Sequence, residues 1–154
     1  MSDLTNKAVT PYTLASSSVE DRPWLDQLRR DAYRDLFDAT WGAWDEARHQ
    51  RHLAASIEQG NIKIIQQNGL GVGMLQLVDH HDATEVAEIQ IRPEAQGKGL
   101  GTAVLNAVIQ EARSQLLTVR LSTGLRNQGA LRLYLRMGFR LVETSETHFH
   151  LHIP

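Results

Sequence analysis

Three glycines at alternate positions, Gly97, Gly99 and Gly101, stand directly before an apolar pattern of helical period. Inside a helix, a glycine costs about 0.5–1 kcal/mol relative to alanine, and a simple turn needs only one. Free amide groups at a helix N terminus, with no Cβ in the way, form a site for anions. The spacing therefore predicts a loop whose backbone approaches an anionic ligand closely.

Two common nucleotide motifs do not fit this loop. A phosphate-binding P-loop needs Gly-Lys-Ser/Thr, whereas Lys98 lies between two glycines. A dinucleotide-binding fingerprint needs G-x-G-x-x-G in the tight turn after a first strand. Here Gly101 breaks the last spacing, and the predicted strand ends at Ile91, five residues before Gln96.

The stretch QGKGLG, residues 96–101, resembles the Q/R-x-x-G-x-G/A motif of the GNAT family of N-acetyltransferases. Ile91-Arg92-Pro93 resembles the V-x-P end of that family's fourth strand. Downstream, NQGALRLYLRMGF, residues 127–139, resembles its second signature of an Asn, an aromatic residue in a helix and a Gly-Phe pair. The resemblance covers about residues 61–142.

By this resemblance, the cosubstrate is acetyl-CoA. The amides of the loop then bind its pyrophosphate, and the end of the fourth strand pairs with its pantetheine arm. The Ile91 amide is then a candidate to polarise the thioester carbonyl. Asn127, which also suits a helix N-cap, contacts CoA or an ordered water. The implied cosubstrate-binding residues are Ile89, Gln90, Ile91, Gln96, Gly97, Lys98, Gly99, Leu100, Gly101, Thr102, Asn127 and Tyr134.

Acetyl transfer to an amine needs a group that donates a proton and a group that accepts one. Tyr134, with a reference pKa of about 10, is protonated at neutral pH and is placed by the resemblance beside the leaving sulfur. Taken alone, it could equally be a core aromatic residue. Glu88 on the fourth strand is the candidate base; a pairing of Glu88 with a neighbouring strand, or a water chain to solvent, is the alternative. Ser122 stands where other members carry a carboxylate on the fifth strand.

Candidates for acceptor binding cluster before residue 50. Tyr33, Trp41 and Trp44, together with the acids Asp45 and Glu46, could clamp a cation through aromatic faces and charge. Alternatively, the tryptophans pack a helix corner and the acids are solvated.

Three histidines, His148, His150 and His152, alternate along the last predicted strand and therefore share one face. They could hold a metal, line a dimer seam or lie near the acceptor. A polar edge face is the favoured interpretation, and no metal is expected. A homodimer is left open.

The predicted element order is β-α-α-β-β-β-α-β-α-β-β. The first two helices are expected at about 23–40 and 45–59. The strand that ends at Ile91 is expected at 86–91, and the clearest helical pattern covers 99–115. Gly138 is in the position of a left-handed C-terminal cap. Strand–helix–strand units in the second half predict a parallel pair. The fold class is α/β: a GNAT-like mixed, mostly antiparallel sheet with helices on both faces.

The amino-acid composition narrows the classes of protein to which this chain can belong. The 154 residues, with 42% hydrophobic and 22% charged residues, suit a single domain, 1–154. The chain has no cysteine, which excludes disulfides, thiol nucleophiles and cysteine-ligated metals. A net charge of −2 without a basic cluster argues against a nucleic-acid partner, and no apolar run suits a membrane span. A cytoplasmic location is expected.

Together these features predict an acetyl-CoA-dependent N-acetyltransferase. It would transfer the acetyl group directly to a primary amine of an unidentified small molecule or peptide, without a covalent enzyme intermediate. The alternatives are a non-catalytic acyl-CoA-binding or sensor domain, and an acyltransferase that uses another acyl group or a hydroxyl acceptor.

Overall fold

The computed structural model describes residues 11–41 and 44–154, and the side chains of these residues except 34–41. Its four α-helices are α1 (Arg22–Trp41), α2 (Glu46–Gln59), α3 (Leu100–Ser114) and α4 (Gln128–Arg136). Its seven strands are β1 (Thr13–Ser16), β2 (Ile62–Gln67), β3 (Leu70–Asp79), β4 (Ala83–Ile91), β5 (Thr118–Gly124), β6 (Arg140–Thr144) and β7 (His148–Ile153). Short 3-10 turns at Val19–Asp21 and Pro93–Ala95 precede α1 and the glycine loop.

All seven strands form one sheet in the order β1-β2-β3-β4-β5-β7-β6. In the described part of the chain, β4 and β5 pair in parallel and the other neighbours are antiparallel. The predicted element order and the mixed, mostly antiparallel sheet are confirmed. Sequence reasoning did not place β7 between β5 and β6.

Apolar side chains fill both faces of the sheet. One cluster packs α3 and α4 against the sheet through residues such as Leu105, Val119 and Leu151. The other packs α1 and α2 through residues such as Leu25, Leu53 and Met74. Since α1 and α2 lie over β2 and β3, the α1/α2 face of β5 and β7 is left with polar residues.

The helix ends follow their sequence signals. Ser18 and Asp21 form a capping box before α1, and the Asp45 carboxylate accepts from the Arg48 amide at the start of α2. Among the described residues, no helix is long and apolar enough to cross a membrane.

One strand boundary differs from the expectation. β4 begins at Ala83 rather than residue 86, because residues 84–86 pair with residues 77–79 of β3 and residues 83–86 pair in parallel with β5. The β5 partner is distant in sequence, and the local pattern alone predicted a loop here.

Candidate active site

A wedge opens between β4 and β5. The two strands pair only from Ala83↔Thr118 to Val86↔Leu121, although β4 continues to Ile91 and β5 to Gly124. The separation begins at a β-bulge in the β3–β4 ladder, where the register passes from Gln76↔Glu88 to Leu77↔Val86. Because a bulge bends its strand, the C-terminal half of β4 diverges from β5 and presents an unpaired edge.

The backbone along this edge has a defined direction. The Arg92 amide donates to the Val72 carbonyl at 2.8 Å. In an antiparallel ladder, alternate residues face the partner strand, so Ile91 and Ile89 direct their N–H and C=O groups away from β3, into the wedge. The Gln90 backbone instead faces β3 by the same alternation, and its side chain is buried.

The glycine loop is tied to the end of β4. The Gln96 side-chain amide donates to the Ile91 carbonyl at 2.8 Å. Opposite Ile91, a Cβ on Gly73 would lie 2.4 Å from the Gln90 carbonyl oxygen, so only glycine allows β3 to pack this closely.

The N terminus of α3 points free amides toward this loop. Gly97 and Gly99 adopt positive φ values of 75° and 83°, and Gly99 is the N-cap but offers no capping side chain. The first intrahelical bond runs from the Ala103 amide to the Gly99 carbonyl at 3.0 Å. The amides of Leu100, Gly101 and Thr102 therefore precede any intrahelical partner and suit an anion. Lys98 is exposed beside them.

Tyr134 is fixed by both ends of its helix. The Asn127 side chain caps α4 by accepting from the Ala130 amide at 3.2 Å, which confirms the N-cap prediction. At the other end Gly138 has a φ of 104°, and the Phe139 amide donates to the Tyr134 carbonyl at 3.0 Å, as in a Schellman motif. The Tyr134 ring packs edge-on against Phe139 at 5.8 Å, and burial raises its pKa above the ordinary value.

Glu88 sits in a cluster that joins α1, α2 and β4. Its Oε1 accepts from Arg29 Nη1 at 3.1 Å and contacts His52 Nε2, and its Oε2 lies 3.4 Å from the Gln90 amide nitrogen. The Arg29 guanidinium lies 5.6 Å from the centroid of the Tyr33 ring. The carboxylate is therefore already engaged by donors from both helices.

Tyr33 lies in the same cluster. Burial, followed by the charges of Glu88 and Tyr134, raises the pKa of Tyr33 to about 12, while Arg29 and a hydrogen bond with Gln90 act in the opposite direction. Tyr33 is thus close to both predicted proton-transfer groups, Glu88 and Tyr134.

On the far side of the wedge, Ser122 Oγ lies 2.8 Å from His150 Nδ1. His148, His150 and His152 alternate along β7 as predicted, with Leu151 and Ile153 buried on the other face. Among the described residues, no group of three or more His, Asp or Glu side chains is arranged to hold a metal ion.

A sequence profile described as the acetyltransferase (GNAT) family matches residues 19–139, which include the wedge, the glycine loop and α4. The chain belongs to this family. The family resemblance seen in the motifs is therefore confirmed.

Similar proteins agree with this assignment. An uncharacterised N-acetyltransferase of Methanocaldococcus jannaschii is 28% identical over 145 residues, covering 85% of this chain and 62% of that protein. The rat N-acetyltransferase 8 is 27% identical, with coverage of 86% and 64%. The GNAT chain described here thus spans less than two thirds of the length of these relatives.

Solved structures show the same fold. An acetyltransferase from Thermus thermophilus superposes with a TM-score of 0.75 at 18% identity, covering 96% of this chain and 99% of that one. With this fold established, the element order predicted from the sequence corresponds to a GNAT fold in space.

The described residues that were predicted to bind the acceptor amine of this GNAT chain lie in different side-chain clusters. Trp44 Nε1 donates to Glu46 at 3.1 Å, and its ring lies 5.1 Å from that of His49. Glu46 is also paired with Arg30, and Asp45 is occupied as the N-cap of α2. Tyr33 is in the Glu88 cluster, whereas the side chain of Trp41 lies outside the described residues. The predicted pair of acids around a cation is therefore engaged within the protein.

Sequence reasoning missed three side chains that contact residues of the candidate site: Arg29, His52 and, as the partner of Ser122, His150. Arg29 precedes Tyr33 by four residues on one helix, a spacing that places both on one face and could have indicated their contact. His52 and His150 meet their partners across distant elements, and no local spacing signals such contacts.

Proposed function

We propose that the chain is an acetyl-CoA-dependent N-acetyltransferase that transfers the acetyl group directly to a primary amine of a small molecule or peptide. The observation that carries the proposal is the combination of the β4–β5 wedge with free amides at the start of α3. Both elements meet at Ile91, whose carbonyl is tied to Gln96.

The residues fit acetyl-CoA. A Cβ on Gly97 would meet nothing within 4 Å, so the loop is open for close approach. Three amides, from Leu100 to Thr102, suit the pyrophosphate, with Lys98 and Gly99 beside them. The wedge-facing backbone of Ile89 and Ile91 suits an extended amide-bearing arm, as in strand addition. A protein of this fold from Thermoplasma acidophilum has been solved in complex with coenzyme A. When bound, acetyl-CoA supplies an acyl carbon activated by a thiol leaving group.

The role proposed for each residue follows from its position relative to the wedge. The Ile91 amide faces the wedge and would stabilise negative charge on the thioester oxygen, an effect worth about 2.7–4 kcal/mol for one such donor. Tyr134, kept protonated by burial, would donate a proton to the departing sulfur. Asn127 caps this helix, and its predicted contact with CoA or an ordered water is proposed in addition.

Glu88 remains a residue of the proposed site, but a role other than general base is favoured for it. Its contacts with Arg29 and His52 favour a positioning role for the carboxylate, although its prediction as general base stays open to test. Tyr33 is proposed to line the acceptor cleft beside it, and acceptor binding by Trp41 and Trp44 stays a prediction.

The experiment that tests this proposal measures enzymatic turnover with a panel of amines. Purified protein is incubated with acetyl-CoA and separate amines (spermidine, L-lysine, an aminoglycoside and a peptide with a free N terminus), and thiol release is followed with a chromogenic disulfide. Amine-dependent release of CoA supports the proposal. Calorimetric binding of acetyl-CoA without release by any amine or alcohol would indicate a non-catalytic acyl-CoA-binding domain instead. Comparison of acetyl-, propionyl- and succinyl-CoA tests the acyl preference.

A further inference from the structure

We propose that Ser122 and His150 accept the proton of the acceptor amine. The Ser122 hydroxyl contacts the amine, and the His150 imidazole accepts the proton behind it. The proposal rests on the proposed function, because it supplies the proton acceptor for that acetyl transfer.

Ser122 is placed at the mouth of the wedge. It is the first residue of β5 beyond the last β4–β5 pair, Val86↔Leu121. Leu121 is buried against α3 and α4, so by strand alternation Ser122 points to the opposite face. Glu88 is on that same face, since it contacts Arg29 of α1. Ser122 is exposed, so an acceptor amine between the two strands can reach its hydroxyl.

The proposal assigns His150 the neutral tautomer with its hydrogen on Nε2. Ser145 Oγ accepts from the His148 and Thr147 amides at 3.0 and 3.4 Å, and it lies 3.2 Å from the His148 carbonyl and 3.4 Å from His150 Nε2. When the Ser145 hydroxyl donates to the His148 carbonyl, its oxygen faces Nε2, which suits a hydrogen on that nitrogen. Nδ1 then has a lone pair that accepts from the Ser122 hydroxyl at 2.8 Å.

This direction leaves the Ser122 oxygen free to accept a hydrogen from an amine. As the acceptor ammonium passes a proton to Ser122 Oγ, the hydroxyl passes its own hydrogen to His150 Nδ1. The N–H bond of the ammonium breaks and His150 becomes an imidazolium. The lone pair that is released would form the new N–C bond while the C=O π pair moves onto the thioester oxygen. The C–S bond then breaks as Tyr134 protonates the sulfur, and the second proton of the nitrogen restores the Tyr134 hydroxyl. Ser122 is a neutral hydroxyl before and after the step.

Several charged and titratable groups surround His150. His148 and His152 flank it on β7, and Glu143 of β6 is its cross-strand partner. From α2, Arg48 faces His148 closely enough to lower the pKa of that histidine. Glu88, across the wedge, is held by Arg29 and His52.

The geometry is tested first without substrate. Long-range 1H–15N NMR spectra of uniformly labelled protein report the tautomer of each histidine. We expect the Nε2–H tautomer for His150, with an Nδ1 resonance that shifts in Ser122→Ala and not in His152→Gln. An Nδ1–H tautomer, or an Nδ1 resonance indifferent to Ser122→Ala, overturns the proposal.

Kinetics with the most active amine of the panel test the role. We expect Ser122→Ala and His150→Gln to lower kcat by about 10²-fold with little change in KM. His150→Gln should also remove the acid limb of the kcat–pH profile. Ser122→Thr keeps a hydroxyl and should retain more activity than Ser122→Ala, and the control His152→Gln should match wild type.

The outcomes separate the two claims. Wild-type protein that turns over no amine fails the proposed function, while the NMR spectra still decide the hydrogen-bond direction. Given wild-type turnover, an unchanged kcat in Ser122→Ala overturns the relay. So does an acid limb that persists in His150→Gln but disappears in Glu88→Gln, because the base would then be Glu88.

Discussion

The Arg29 guanidinium lies 3.1 Å from the Glu88 carboxylate, and the two side chains are only 13% and 12% exposed. The contact joins α1 to the C-terminal half of β4, directly beside the wedge. His52 of α2 contacts the same carboxylate oxygen. Helices α1 and α2 are therefore fastened to the strand that forms the edge of the wedge.

Breaking this ion pair should destabilise the folded protein. Arg29→Met leaves a mostly buried carboxylate without its main partner, so the free energy of unfolding should fall by about 3 kcal/mol. The measurement is urea denaturation followed by circular dichroism. The double variant Arg29→Met/Glu88→Gln should lose less than the sum of the single variants, because the two residues are coupled. Glu94→Gln, in an exposed pair with Arg92, is the control and should change stability by less than about 1 kcal/mol. Strict additivity would contradict the coupling.

Tyr134→Phe should lower kcat by about 10²-fold while acetyl-CoA binding, measured by calorimetry, is retained. The buried environment raises the Tyr134 pKa above its ordinary value of 10.0, so the acid form persists through neutral and mildly alkaline pH. In the wild type, no fall in kcat attributable to Tyr134 is expected below pH 10. Tyr12→Phe is the control, since Tyr12 precedes β1, which β2 and β3 separate from β4 in the sheet. A Phe variant with full activity would remove the proton-donor role.

Two glycines provide a matched test of the loop. Gly97 and Gly69 have φ values of 75° and 78°, and a Cβ on either would meet nothing within 4 Å. Alanine should therefore strain both backbones alike and reduce the unfolding free energy by similar amounts. Only Gly97→Ala should weaken CoA binding, by about 10-fold or more, the equivalent of one hydrogen bond to a charged group. Equal affinities in the two variants would place the pyrophosphate elsewhere.

His148 predicts a pH dependence of stability. Burial, then His150 and Arg48, lower its pKa below the ordinary 6.5. The folded state therefore binds the proton less readily than the unfolded state. The corresponding stability is present above pH 6.5 and is lost as the pH falls through the lowered value. His148→Gln should flatten the decrease in melting temperature between pH 7 and pH 5. In Arg48→Gln, an NMR titration should show the His148 pKa rising; a fall would refute the assigned influence of Arg48.

Features of the fold with local signals could be predicted from the sequence. The helices, the Asn127 cap and the Gly138 stop follow from periodicity and from the φ preferences of single residues. The glycine loop could be recognised because three closely spaced glycines carry a conformational free-energy cost that a simple turn does not require. The bulge opposite Gln76, the pairing of Glu88 with Arg29, and the Ser122–His150 contact could not, since each depends on elements that are distant in the chain.

The position of β7 between β5 and β6 also has a consequence for how the protein folds. Among the described strands, β6 pairs only with β7, and the two form a hairpin joined by residues 145–147. β6 can therefore enter the sheet only as the outer strand of this hairpin, when β7 docks on β5, a less local pairing than the hairpin itself. The half of the wedge that carries His150 is thus completed last. A nascent chain can acquire its glycine loop before it acquires the rest of the site.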